Sequence, residues 1–247
     1  MIICHRYGFI FVKTRKTAGS STEIALSRLC DSGDTITPLS ARLGEEEMRA
    51  AHGGHPPANW AKRIYEHRGF REWKRLLTRR RRSDRFSQHA TARELRDRLG
   101  GDCWDRYLTL TIERNPWDRA VSRYWWQKFR WERRGRTNFP GISDYLKYLA
   151  KHKPHWLTNW THYAEGDQIL VDRVLRYEQL AFDLVRLSRE LGLPDDALEL
   201  PGRRAKGGFR PQQDHYSQTL SHDDRRLIEN LCCREIEAFD YRFEVRA

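Results

Sequence analysis

The stretch Lys16-Thr17-Ala18-Gly19-Ser20-Ser21-Thr22 sets a cation, small residues and hydroxyls next to one another. At the start of a helix such a loop gathers backbone N–H groups and the positive end of the helix dipole, which together favour an anion. Lys16 can neutralise charge that develops on a transferred group. The spacing is not G-x-x-x-x-G-K-[ST], because the lysine precedes the lone glycine, so an anion site and an ordinary capped turn both stay open here. A second cation, Arg114 of Arg114-Asn115-Pro116, follows another apolar run. The carboxyl end of a strand is where α/β sheets bind ligands, although a surface ion pair would use an arginine equally well.

These groups need elements to hold them. The nearly continuous apolar run over 7–13 predicts a strand buried on both faces. Ser20 with Glu23 three residues later has the form of a capping box, which predicts a helix start at that point. The order strand, small-residue turn, helix N-terminus is a phosphate-binding arrangement in its own right. The same grammar returns as a strand over 107–113, with Pro116 suited to the first turn of the next helix. A third unit is a strand over 171–177 and a helix over 178–191, its apolar stripe being Leu180, Leu184, Leu187 and Leu191. Thr91 and Glu94 form another capping box, opening a helix that ends at Gly100-Gly101. Ser221 caps a last helix that turns Leu227, Ile228, Leu231 and Ile236 inward. Alternating strands and helices predict an α/β fold with a parallel sheet flanked by helices and carrying helical insertions. One domain is expected over 1–247, with 41–85 as a basic, partly helical insertion in which helix, loop and disorder all stay open.

With both loops in order, each on a strand-to-helix turn, the sequence resembles sulfotransferases that use 3′-phosphoadenosine 5′-phosphosulfate (PAPS). Lys16 to Ser21 is similar to their 5′-phosphosulfate loop. Arg114-Asn115-Pro116, with Ser122 eight residues after the arginine, is similar to their 3′-phosphate motif. The likeness is strongest to the carbohydrate-type branch that includes heparan sulfate 2-O-sulfotransferases and compact soluble bacterial members. It extends to 88–99, 171–193 and the ending 239–243. The resemblance implies a P-loop-NTPase-like fold and PAPS as co-substrate with PAP as product. It implies that Lys16 contacts the sulfate and the bridging oxygen, and that Thr17, Ala18, Gly19, Ser20, Ser21 and Thr22 cradle the 5′-phosphate. Arg114 and Ser122 would grip the 3′-phosphate, although Ser122 also reads as a helix hydroxyl bonded to its own backbone. In relatives a late basic loop closes over the nucleotide, which points to Lys206 and Arg210 in the Gly-rich stretch 203–210. His89, two residues before the capping Thr91, stands where the relatives carry a catalytic histidine. The helix N-terminus there disfavours imidazolium and keeps the ring able to accept a proton, with titration at or below about 6.5. His52 and His55 are the reserves.

Composition bounds the rest. The 247 residues carry 46 Lys+Arg against 34 Asp+Glu, a net charge of +12. Eleven basic residues against three acids fall between Ala61 and Arg85, including the run Arg79 to Arg82. Such a block is a solvated face, or it steers something anionic by its long-range field. The five cysteines are odd in number and scattered, with no C-x-x-C, so free thiols in a reducing compartment are expected and no metal site. The two H-x-x-H pairs, His52/His55 and His152/His155, lack a further ligand at a fitting spacing. No apolar run spans a membrane and no signal-peptide layout opens the chain, so the cytoplasm is the expected location. Of the aromatic cluster Tyr124, Trp125, Trp126, Phe129, Trp131, Trp156 and Trp160, most rings belong to packing, and one or two are available as a platform for a sugar. The reading is transfer of a sulfuryl group to a hydroxyl, or in second place an amine, of an anionic or carbohydrate acceptor, without a metal. Two alternatives keep a place: a nucleotide kinase, which needs a Walker A spacing and a magnesium carboxylate, and a nucleic-acid-binding module, which would rest on the arginine run.

Overall fold

A computed structural model describes residues 1–62, 69, 84–202, 209–210 and 214–245. The Arg79–Arg82 run and Lys206 lie outside the described residues. The strands β1 (Ile2–Cys4), β2 (Phe9–Phe11), β3 (Thr35–Ile36), β4 (Leu108–Glu113) and β7 (Arg173–Arg176) form one sheet in the order β3-β1-β2-β4-β7. A separate antiparallel pair joins β5 (Ala164–Glu165) to β6 (Gln168–Ile169). The pairs β2–β4 and β4–β7 are parallel. β1 is antiparallel to both β2 and β3, so the expectation of a parallel sheet holds for its centre and not for that edge. The cause is the short turn between β1 and β2, where Gly8 takes a φ of +60° that favours glycine and folds the chain straight back.

Period-two alternation divides β2 between the faces of the sheet. Phe9 and Phe11 join Leu26, Leu110, Ile112 and Leu184, while Ile10 joins Val12, Ala92, Leu95, Trp104 and Tyr163. The first face is covered by α1 (Gly19–Ser27) and by the helix over Leu180–Glu190; the second by Ala92–Leu99 and Trp160–Tyr163. Burial on both faces is what the apolar run requires, and it makes the carboxyl ends of β2 and β4 the accessible part of the central strands. The Thr91–Glu94 capping box is formed, with Glu94 N–H donating to Thr91 Oγ1 at 3.1 Å and Thr91 N–H to Glu94 Oε2 at 2.9 Å. Ser221 caps its helix with Asp224, but that helix stops at Leu231 and a second runs from Cys233 to Ala238. Together with Ile142–His152 and Pro116–Glu132 they close a third core around Trp117, Tyr124, Leu146 and Ile228.

The Ser20–Glu23 capping box is not formed. α1 begins at Gly19 after Ala18, whose left-handed φ of 62° turns the chain into the helix ahead of Ser20. Glu23 is thereby turned into the interior, where Lys13 Nζ meets it at 2.6 Å, Thr37 Oγ1 donates to it at 3.0 Å and Arg49 reaches it at 3.3 Å. Burial alone would raise this carboxyl, but Lys13 and its cationic neighbours outweigh that effect and hold it down at about 2. No helix among the described residues is long and apolar enough to cross a membrane.

Candidate active site

The turn from β2 into α1 is fastened before any ligand is considered. Thr14 Oγ1 donates to the Ile112 carbonyl at 2.5 Å and lies 2.8 Å from Thr17 Oγ1. Asn159 takes the Arg15 N–H at 3.1 Å and donates back to the Arg15 carbonyl at 3.0 Å. Arg114 Nη1 donates to the Lys16 carbonyl at 3.0 Å, which ties the first loop to the end of β4. Lys16 and Ala18 both take left-handed backbone, φ 65° and 62°. That conformation costs a non-glycine residue roughly 1–2 kcal/mol. Gly19 is required by close approach, because a Cβ there would stand 2.9 Å from Lys13 Cγ.

At the end of β4, Asn115 accepts the N–H groups of Trp117 and Asp118 at 3.1 and 3.2 Å, and Pro116 opens the helix over Pro116–Glu132. Arg114 lies 3.9 Å over the Tyr177 ring and donates to Asp118 through Nε at 2.8 Å and Nη2 at 2.5 Å. Arg210 donates to the other oxygen of the same carboxylate at 3.1 Å. Asp118 therefore holds together two cations 96 positions apart in the chain.

A cavity of about 470 Å³ opens over these groups. Lys16, Thr17, Ala18, Gly19, Ser20, Ser21, His89, Arg114, Ser122 and Arg210 all line it, so the structure brings together nearly every residue singled out in the sequence. Thr22 is not among them: its N–H and its hydroxyl both go to the Ala18 carbonyl, at 3.1 and 3.4 Å, leaving it no donor to offer. His52 and His55 do not line it either, and His52 Nε2 lies 2.9 Å from the Glu199 carbonyl. Lys13, Thr14, Asp118, Tyr177 and Phe209 line it without having been picked for that role, and Trp125 and Trp126 of the aromatic cluster line it as well. Asp118 carried a legible signal, its i+4 spacing from Arg114; Lys13 carried none, since it reads as the end of an apolar strand. Among the described residues the wall holds four Lys or Arg side chains against one carboxylate, and Ser20 Oγ and Arg210 Nη2 are buried without a hydrogen-bond partner. Lys16 Nζ lies 5.0 Å from the centre of the Trp126 ring, and Phe209 packs on Trp126 and Phe129 at 5.0 and 4.3 Å between centroids. Trp125 and Trp126 thus face the cavity, whereas Tyr124 and Trp160 are core residues.

His89 Nδ1 is 2.9 Å from the Lys13 carbonyl, a pure acceptor, so Nδ1 carries the hydrogen and Nε2 the lone pair. Burial, then the charge of Lys13, pushes this imidazole down to about 2; the direction is that expected from the helix N-terminus, but these two causes come first. His162, edge-on to His89 at 6.3 Å, is pushed down to about 3 by burial and then by Arg15. Both rings stay neutral in the folded protein, whereas the unfolded chain protonates them near 6.5. The folded state then binds fewer protons below that value. Their stabilisation is complete above about pH 6.5 and is lost as the pH falls from there toward the folded values. Between pH 7 and 5 the parent should lose thermal stability, and His162→Gln should flatten that slope by at most about 1.4 kcal/mol per pH unit. Parallel curves for the two proteins would mean that His162 is not held neutral.

Two further carboxyl groups, Glu113 at the end of β4 and Asp34 beside the turn after β1, are committed elsewhere. Glu113 accepts the Arg114 N–H and the Tyr163 hydroxyl, each at 2.8 Å, and pairs with Arg119, which also reaches Glu235 at 3.1 Å. Asp34 accepts the N–H groups of His5 and Asp31 at 2.6 and 2.9 Å, although its carboxylate and the Cys4 and Cys30 sulfurs lie within 4.8 Å of one another. That grouping of residues 4, 30 and 34 was invisible in their spacing.

A family model described as the sulfotransferase family matches residues 1–242. An uncharacterized protein of Archaeoglobus fulgidus is 31% identical over 104 residues, which is 41% of this chain and 82% of that protein. The crystal structure of a sulfotransferase from Alicyclobacillus acidocaldarius aligns with 95% of this chain and 98% of its own, at 17% identity and a TM-score of 0.37.

Proposed function

The chain belongs to the sulfotransferase family, and from that premise we propose that it moves a sulfuryl group from PAPS to a hydroxyl, or in second place an amine, of a carbohydrate or glycoconjugate acceptor. The observation that carries this reading is the pair of buried, unpartnered donors, Ser20 Oγ and Arg210 Nη2, on the wall of one cation-lined cavity. An unsatisfied buried donor costs about 1–3 kcal/mol, and an anionic ligand relieves that cost. The left-handed Lys16 and Ala18 support the same reading, since backbone strain of this kind clusters at ligand clamps.

When bound, the donor supplies a phosphosulfate whose S–O bond breaks as the acceptor oxygen attacks. The N–H groups over 17–21, with Ser20 and Ser21, hold the 5′-phosphate, and Thr22 braces the turn behind them. Arg114 and Ser122 hold the 3′-phosphate, and Arg210, joined to Arg114 through Asp118, closes over the nucleotide; Lys206, read for the same closing role, lies outside the described residues. His89 Nε2 accepts the acceptor proton, and Lys16 meets the negative charge that builds on the leaving oxygen. Catalysis by position and charge is the pattern of phosphoryl transfer as well, and lysine and arginine carry it here. The kinase alternative is disfavoured at the end of β4, because Glu113 is wholly engaged with Arg114, Arg119 and Tyr163. The free cysteines suit a reducing compartment, which makes the cytoplasm the proposed location.

The test is a comparison of ligands in metal-free buffer. PAP should stabilise the protein against heat more than AMP, ADP or ATP, with about 2.7 kcal/mol expected at a hundredfold excess over its dissociation constant. Equal stabilisation by AMP and PAP would remove the 3′-phosphate assignment of Arg114 and Ser122.

A further inference from the structure

Cys4, Cys30 and Asp34 line no part of the cavity, yet the fold gathers them at one point. β1 and β3 pair antiparallel with Ile2 opposite Ile36 and Ile3 opposite Thr35, a register that carried one step further sets Cys4 opposite Asp34. Cys30 follows the last turn of α1, its N–H donating to the Ser27 carbonyl at 3.3 Å. The two sulfurs and a carboxylate oxygen all lie within 4.8 Å of one another, and none of the three residues has more than 8% of its surface exposed.

The ligand atoms are held in place but not used up. The thiol contacts are long, Cys4 Sγ to the Leu29 carbonyl at 3.8 Å and Cys30 Sγ to the Leu26 carbonyl at 3.6 Å. The Asp34 carboxylate takes one backbone N–H on each oxygen, from His5 and from Asp31, which fixes its plane and leaves each oxygen a further lone pair. Asn59 steadies the turn beneath it, donating to the Ser32 and Asp34 carbonyls at 2.9 Å each. Among the described residues no lysine or arginine pairs with this carboxylate, and a buried carboxylate without a counter-cation is costly. Ligands oriented by an outer shell of hydrogen bonds are how metal sites are made. We infer that Cys4, Cys30 and Asp34 form a zinc site that clamps β1 to the end of α1 and to the turn before β3. Two thiolates and a carboxylate suit zinc, and water reaching in past the exposed residues 31–33 completes four ligands. Each thiol gives its proton to solvent as its sulfur–zinc bond forms. The site does not depend on the sulfuryl-transfer reading, since α1 starts at the Lys16 loop and the metal sits at its other end.

Cobalt(II), a coloured substitute for zinc, tests this on the full-length reduced protein. Binding between Cys4 and Cys30 should give a near-ultraviolet sulfur-to-cobalt charge-transfer band that saturates at one cobalt per chain and is bleached by zinc. Cys4→Ala and Cys30→Ala should each remove most of that band, and Asp34→Asn should weaken cobalt about tenfold or more. Cys103→Ala and Cys233→Ala, which change thiols outside the cluster, should leave it as in the parent. Zinc should also raise the midpoint of thermal unfolding of the parent, by roughly 5–10 °C at a hundredfold excess over its dissociation constant, and should not do so for Cys30→Ala. Should Cys4→Ala fail to fold, Cys30→Ala and Asp34→Asn decide. No band in the parent, a band lost with Cys103 or Cys233 instead, or a band kept in both Cys4→Ala and Cys30→Ala overturns the site. Cobalt held by surface histidines such as His52 and His55 gives no sulfur band and counts as the first of these outcomes.

Discussion

Replacing His89 by alanine is expected to lower turnover about a hundredfold to ten-thousandfold, the usual contribution of a positioned base, while PAP binds as before. The split follows from what each face of the ring touches. Nδ1 is spent on the Lys13 carbonyl, so Nε2 is the nitrogen left to take a proton. With its imidazole pushed down to about 2, His89 in the free protein is a weak base that never loses its lone pair to solvent protons. Negative charge brought in by the donor opposes the charge of Lys13 and raises that value, moving it toward the range in which a base works best. The acidic limb of kcat/KM, which reports the free enzyme, should therefore lie below about 6.5, and the limb of kcat above it in turn. Initial rates with labelled donor on an acceptor found by intact-mass screening, measured against pH, check both limbs. Near-parental turnover in His89→Ala would move the base elsewhere, and His162, edge-on to the same ring, would be next.

Lys16→Ala should damage binding and turnover together. Its charge meets the donor in the ground state and the leaving oxygen in the transition state, and removing one preorganised stabilising group of this kind costs about a hundredfold to a thousandfold in rate. Alanine is the informative choice because position 16 is left-handed, with a φ of 65°. Lysine and alanine both resist that conformation and glycine does not, so Lys16→Gly would relax the loop as well as remove the charge. PAP titration calorimetry and single-turnover rates on the same preparations separate the two effects. Unchanged PAP affinity would mean that Lys16 stays on Trp126 and does not reach the donor.

The parts of the site that could be read in advance are those fixed by neighbours in sequence. The apolar run around Phe9 to Phe11, the Asn115-Pro116 helix start and the Thr91–Glu94 box each need only a few consecutive residues. The same locality misled at Ser20 and Glu23, where a hydroxyl and an acid at capping distance were overruled by a left-handed turn and a buried lysine. The antiparallel edge was hidden for a related reason, since apolar alternation does not record strand direction. Long-range meetings left no trace at all: Arg210 on Asp118, Asn159 on the Arg15 backbone, and His89 on the Lys13 carbonyl join residues 92, 144 and 76 positions apart.

Thr14, Asn159 and Arg114 grip the turn between β2 and α1 from three directions, and that decides when its disorder is removed. The conformational entropy of ordering a loop, roughly 1–2 kcal/mol per residue in backbone alone, is surrendered here as the chain folds. The two left-handed residues are twisted into place at the same moment. A ligand arriving later meets donors that already point inward and freezes few bonds that were free. Its affinity is thus set by charge and fit, and heat, salt or mutation that loosens the Thr14, Asn159 or Arg114 anchors would weaken binding without touching a single contact to the ligand.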